Sequence, residues 1–207
     1  MAGPLQGIVV LDLSRILAGP WATQVLADFG AEVIKVEHPR GGDDTRSWGP
    51  PYLKDEAGLD TTESAYYLSA NRGKRSVAID LATAEGQSLV RRLATQADVL
   101  VENFKVGGLA RYGLAYDDLA PLNPRLVYLS ISAFGQDGPA AAEPAGTACT
   151  RAQGHLALHA RLEDPKRCNY FFLRTGALRA PPPGPRSCLW SRSPPSWWCQ
   201  IRSPFSS

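Results

Sequence analysis

Short apolar runs alternate with amphipathic stretches, and this alternation constrains the fold of the 207-residue chain more than any other feature. GIVVLDL (7–13) is β-branched or apolar at nearly every position, as a strand buried on both faces should be. WATQVLADF (21–29) then sets Trp21, Val25, Leu26 and Phe29 on one helical face. Pro20 suits the first turn of that helix, and Gly30 suits the position just past its end. AEVIKVE (31–37) reads as a second strand, so the two strands run parallel across a helical crossover. The theme returns with the strand SVAIDL (76–81), a Thr83 N-cap and a helix over 84–96 predicted to bury Leu89, Val90, Leu93 and Ala94. ADVLVEN (97–103) is the next strand, followed by short helical stretches around 107–112 and 116–122 and a fifth strand, RLVYLSIS (125–132). Five strands alternating with helices predict an open, mostly parallel α/β sheet from residue 5 to about 139.

Beyond that point the sequence changes character. Residues 1–139 carry 13 Lys and Arg against 17 Asp and Glu, whereas residues 140–207 carry 9 against 3. The second part also holds all four cysteines (Cys149, Cys168, Cys188, Cys199) and nine of the seventeen prolines, and RAPPPGPRSCLWSRSPPSWWCQIRSPFSS has no helical or strand period. An irregular, disordered Pro/Arg/Ser-rich tail is expected. The cysteine spacings fit no zinc arrangement, and His155 and His159 add only a weak i,i+4 pair, so no metal site is expected. A net charge of +2 gives no argument for nucleic acid, no apolar run reaches bilayer length, and the start lacks a basic leader. The expectation is a cytoplasmic protein, or a mitochondrial one if a leader precedes this sequence.

In a sheet of this kind, ligands bind beyond the carboxyl ends of the strands. The loop after the first strand, SRILAGP, lacks G-x-G-x-x-G, which argues against an ordinary dinucleotide site although Glu37 stands where a ribose-binding acid would sit. The loop HPRGGDDTRSWGPP contains Asp43, Asp44, Thr45 and Arg46 beside Trp48, more chemistry than a turn requires. ANRGKRS gathers Arg72, Lys74 and Arg75 just before a strand, and Glu102, Asn103 and Phe104 close the fourth strand, with Lys105 and Arg111 following. Cations, an amide and an aromatic ring at several strand ends are the parts needed to hold an adenine and its phosphates.

Four blocks in order, LQGIVVLDLSRILAGPWATQVLADFGAEVIKVEHPRGGDDTR, ESAYYLSANRGKRSVAIDL, ADVLVENFKVGGLARYGL and NPRLVYLSISAFGQDGP, strongly resemble family III CoA transferases. That family also includes formyl-CoA and carnitine-CoA transferases and α-methylacyl-CoA racemases. The GGDDTR-WGPP block looks like the transferase branch near the succinyl-CoA:dicarboxylate enzymes. The resemblance implies the N-terminal part of a large Rossmann-like domain over residues 1–139, with residues 140–207 non-homologous. It implies acyl-CoA and carboxylic acid substrates, with coenzyme A as substrate and no tightly bound cofactor. His38 would face the CoA 3′-phosphate, while Arg72, Lys74 and Arg75 would line the nucleotide end. Asn103 and Phe104 would lie beside the adenine and pantetheine, Arg111 would supply a further cation, and Ile16 and Leu17 would border the thiol end.

Family members transfer CoA through an aspartate nucleophile that forms a mixed anhydride. Its G-Y-D and D-L-x-x-G surroundings have no match after Pro139, and LEDPKR around Asp164 is a different context, so no catalytic residue is assigned. A shifted reading frame or an alternative exon after Pro139 is one expectation. The family forms an interlocked homodimer whose returning segments are not found here, and an uncovered half-sheet predicts marginal stability. Three functions follow: a CoA transferase of short-chain or dicarboxylic acids, a truncated non-catalytic form keeping part of the CoA surface, or an interaction protein using its Pro/Arg/Trp-rich tail.

Overall fold

The computed structural model describes residues 3–137, 139 and 141, and the backbone of two later strands, 155–161 and 169–174. The expected strands are present as β1 (Val9–Asp12), β2 (Glu32–Glu37), β5 (Arg75–Ala78), β6 (Val99–Glu102) and β7 (Val127–Ser132). Helix α1 (Ala18–Asp28) connects β1 to β2, and α3 (Ala84–Ala94) connects β5 to β6. Between β2 and β5 the chain adds a hairpin, β3 (Tyr52–Lys54) with β4 (Asp60–Ser64), and helix α2 (Ala65–Asn71). Helix α4 (Tyr116–Leu119) precedes β7.

Sheet order is β5-β2-β1-β6-β7, all parallel, with Asp12 opposite Lys35 on one side of β1 and opposite Val101 on the other. The chain builds outward from β1 to β5, then crosses back to place β6 on the opposite side of β1. The loops after β1 and β6 therefore diverge, and a crevice opens at this topological switch point.

Two further strands, β8 (His155–Arg161) and β9 (Asn169–Arg174), extend the sheet antiparallel beyond β7. They fall within the span expected to be irregular. HLALHAR and NYFFLR are short runs without proline, and NYFFLR is rich in aromatic β-formers, which overcomes the composition of the surrounding chain. Asp164, the four cysteines and residues 175–207 lie outside the described residues.

Period-2 alternation feeds two cores. Leu11 and Leu100 face α3 and α4 with Val90, Ala94, Leu114 and Leu119, while Val10, Val33, Val101 and Ile131 face α1. Thr83 caps α3 as expected, its Oγ1 accepting from Gly86 N at 3.0 Å. Leu89 is exposed, however, and the helix buries Gly86, Val90 and Ala94.

Helix α1 departs further from the sequence expectation. Trp21, Val25 and Phe29 are 53%, 50% and 51% exposed, and the inward face is Gly19, Pro20, Thr23 and Gln24. The cause is a buried charge. Thr23 Oγ1 donates to Asp12 Oδ2 at 2.6 Å, Pro20 O accepts from Lys74, and Gln24 Oε1 accepts from Arg72 N at 2.8 Å. A Cβ on Gly19 would come within 2.2 Å of Ser14, so only glycine permits that approach.

Candidate nucleotide-type pocket at the sheet tips

Beneath the loops lies a layer of buried charge. Lys35 and Asp43 pair at 2.9 Å with side chains 1% exposed, and Lys35 Nζ also donates to Ser14 O at 2.9 Å. Burial works to raise the Asp43 carboxyl, but the Lys35 ammonium and the donors of Thr45 bring it below its usual value. Lys74 Nζ sits 3.0 Å from Asp12 Oδ2, 2.8 Å from Pro20 O and 2.9 Å from Asn71 Oδ1. Burial pushes its ammonium down to about 8 against the opposing pull of Asp12.

Glu37, closing β2, accepts from five donors: Asp43 N, Arg46 Nε, Arg46 Nη2, Tyr67 OH and Ser76 Oγ, at 2.6–2.9 Å. Burial opposes its ionisation, yet these partners bring its carboxyl down to about 2. With its acceptor capacity taken up, Glu37 is a structural hub and not a ribose ligand. Burial and the bond to Glu37 likewise raise the Tyr67 hydroxyl.

The first loop is clamped from two sides. Arg15 N donates to Asn103 Oδ1 at 2.8 Å, and Asn103 Nδ2 donates back to Arg15 O at 2.7 Å, joining the tips of β1 and β6 across the switch point. Arg15 Nη2 reaches both oxygens of Asp44 at 2.7 Å. Ile16 N donates to Asp43 at 3.2 Å, and Ile16 adopts φ +69°, a left-handed conformation rare for a β-branched residue.

Above this layer opens a cavity of about 310 Å³. Its walls include Leu13, Val36, Ile79 and Leu81 with the rings of Phe104 and Tyr112, and its polar groups include Arg15, His38, Asp80 and Arg111. His38 Nδ1 accepts from Arg40 N at 3.0 Å, while Nε2 lies 3.9 Å from Asp80. The Arg111 guanidinium stands 4.5 Å over the Tyr112 ring. Apolar and aromatic walls with cations at the rim can take a flat heterocycle bearing anionic substituents.

A second cavity, about 180 Å³, lies at the tips of β6 and β7 and is lined by Glu102, Lys105, Tyr116, Tyr128, Ser130 and Gln136, among others. Burial raises the Glu102 carboxyl. Among the described residues, no cluster of His, Cys, Asp or Glu has the arrangement of a metal site, and no helix is long and apolar enough to cross a membrane.

Of the nine residues singled out from sequence, His38, Phe104 and Arg111 line the larger cavity. Asn103 holds its floor through Arg15, and Ile16 and Leu17 stand on the adjoining loop, with Leu17 at the N-cap of α1. The cations of ANRGKRS do not converge. Lys74 is buried against Asp12, Arg72 reaches Asp28 at 2.6 Å, and Arg75 reaches Glu32 at 2.5 Å. Sequence reasoning left Arg15 and Tyr112 unassigned, because neither belongs to a cluster of like residues.

Parallel strands in the order β5-β2-β1-β6-β7, with helices between them and a crevice at the switch point, define an α/β protein with an open Rossmann-like sheet. More particularly, the chain belongs to CoA-transferase family III, whose family model matches residues 5–168. It is 60% identical over 136 residues to the succinate–glutarate CoA-transferase of Agrobacterium fabrum, covering 66% of this chain and 34% of that protein. It is 49% identical to the succinyl-CoA:glutarate CoA-transferase of Homo sapiens, covering 66% and 30%. Among solved structures, a CAIB/BAIF family protein from Brucella suis superposes with a TM-score of 0.65 at 53% identity, covering 70% of this chain and 37% of that one. The chain thus spans about a third of the length of the curated relatives it matches.

Proposed function

We propose that this chain binds the adenosine-phosphate end of coenzyme A thioesters in the larger cavity, as part of a CoA transferase acting on dicarboxylic acids. The observation that carries this reading is the gathering of His38, which follows β2, with Phe104 and Arg111, both from the β6–β7 connection, around one cavity at the switch point. Phe104 offers a stacking face, Arg111 and His38 offer partners for phosphate, and Ile16 and Leu17 border the path of the pantetheine arm. Arg72, Lys74 and Arg75 act indirectly, by fixing α1 and β5. The names of the relatives above support succinyl and glutaryl groups as donor and acceptor.

A second reading is a chain that binds CoA without transferring it, and the lack of a G-Y-D or D-L-x-x-G match between Pro139 and Ser207 favours it. In this reading residues 1–139 form the CoA-binding part and residues 140–207 are of separate origin, against a family match that runs to residue 168, and the locus sequence decides. One assay separates the two. Full-length chain given succinyl-CoA and glutarate should yield glutaryl-CoA under the first reading, and bind CoA without yielding it under the second. Absence of CoA binding by calorimetry would sink both.

A further inference from the structure

Four carboxylates are buried among the described residues, and three of them face a cation: Asp12 with Lys74, Glu37 with Arg46, Asp43 with Lys35. Glu102, 5% exposed, forms no ion pair with any described Lys, Arg or His. A buried carboxyl without a cation is costly, and burial raises Glu102 accordingly. What its oxygens hold gives the reason for its presence.

Oε2 accepts from Phe104 N at 2.7 Å, fixing the turn that carries the Phe104 ring to the larger cavity. Oε1 accepts from the hydroxyl of Ser130, which stands opposite it in register on β7. With its proton given to Glu102, Ser130 Oγ accepts, and Gln136 Nε2 donates to it at 2.6 Å. Glu102, Ser130 and Gln136 all line the smaller cavity.

We propose that Glu102 is a positioning residue for both cavities: it holds the Phe104 wall of the larger one and, through Ser130, turns the Gln136 amide so that its carbonyl oxygen serves a ligand in the smaller one. The smaller cavity therefore takes a hydrogen-bond donor, such as a secondary amide or a hydroxyl. The part concerning Phe104 rests on the CoA reading above, whereas the relay to Gln136 stands without it.

The test uses full-length chain, calorimetry with CoA, and the NMR signals of the Gln136 side-chain amide, assigned by their loss in Gln136→Glu. Glu102→Ala should weaken CoA binding about tenfold, the size of a lost hydrogen bond to a charged group, and should move the Gln136 signals. Glu102→Gln keeps an acceptor for Phe104 N but offers N–H to Ser130, which reverses the relay. It should still move the Gln136 signals. Ser130→Ala should do the same. Wild-type CoA affinity in Glu102→Ala, or unmoved Gln136 signals in Glu102→Gln and Ser130→Ala, would overturn the proposal. If the unmodified chain binds no CoA, the reading of the larger cavity fails by itself, and the Gln136 signals still decide the relay.

Discussion

Lys74 Nζ and Asp12 Oδ2 lie 3.0 Å apart although 62 positions separate them, and both side chains are closed to solvent. The pair joins the approach to an edge strand to the end of the central one. Replacing Lys74 by Met leaves the Asp12 carboxylate buried without its cation, a change that costs about 3–5 kcal/mol in comparable pairs. Urea unfolding should show a loss of that order in Lys74→Met. A loss below about 1 kcal/mol, the scale of an exposed pair, would contradict the burial described.

Acid stability should be governed in large part by Glu37. Its carboxyl falls from 4.5 to about 2 in the folded chain, so folding favours the ionised form. The unfolded chain binds the proton more readily between those values, and stability therefore falls as pH drops from 4.5 through about 2. Glu37→Gln should flatten the urea midpoint over that window, at the expense of lower stability at neutral pH. An unchanged acid limb in the variant would remove Glu37 from this role.

The cavity and the basic block make opposite demands of mutagenesis. Arg111→Ala and Phe104→Ala should each weaken CoA binding about tenfold or more, as lost charge-assisted and stacking contacts do. Arg72→Ala and Arg75→Ala remove exposed ion pairs with Asp28 and Glu32 and should leave that affinity nearly intact. Calorimetry on the four variants gives the answer, and a reversed ranking would place the ligand elsewhere.

Ile16 offers a backbone test. At φ +69° its side chain is strained, and the left-handed region costs an L-residue about 1–2 kcal/mol that glycine avoids. Ile16→Gly should be more stable than Ile16→Ala by about 1 kcal/mol, the inverse of the usual order. Thermal melts of the two variants measure the difference. Equal melting temperatures would show that the loop relaxes out of this conformation.

The sheet was readable because β-branched runs such as GIVVLDL and RLVYLSIS have few other uses, and Thr83 announces its helix by a cap. The orientation of α1 was not, because Trp21, Val25 and Phe29 form a proper apolar stripe while the inward face is chosen by Asp12, a residue elsewhere in the chain. The ANRGKRS cations looked like one patch for the same reason. Adjacent positions in sequence share a neighbourhood, but Lys74, Arg72 and Arg75 are drawn apart by acids on three different elements. His38, Phe104 and Arg111 were legible one by one as polar or aromatic residues at strand ends. Phe104 and Arg111 share one connection, but His38 reaches them only through the strand order, which no local pattern encodes.

Asn103 commits both ends of its amide to the peptide of Arg15. Parting the two halves of the sheet at their tips would strip two hydrogen bonds at once. The crevice width is thus set before any guest arrives, and a ligand that fits meets a ready-made slot with little reorganisation left to perform.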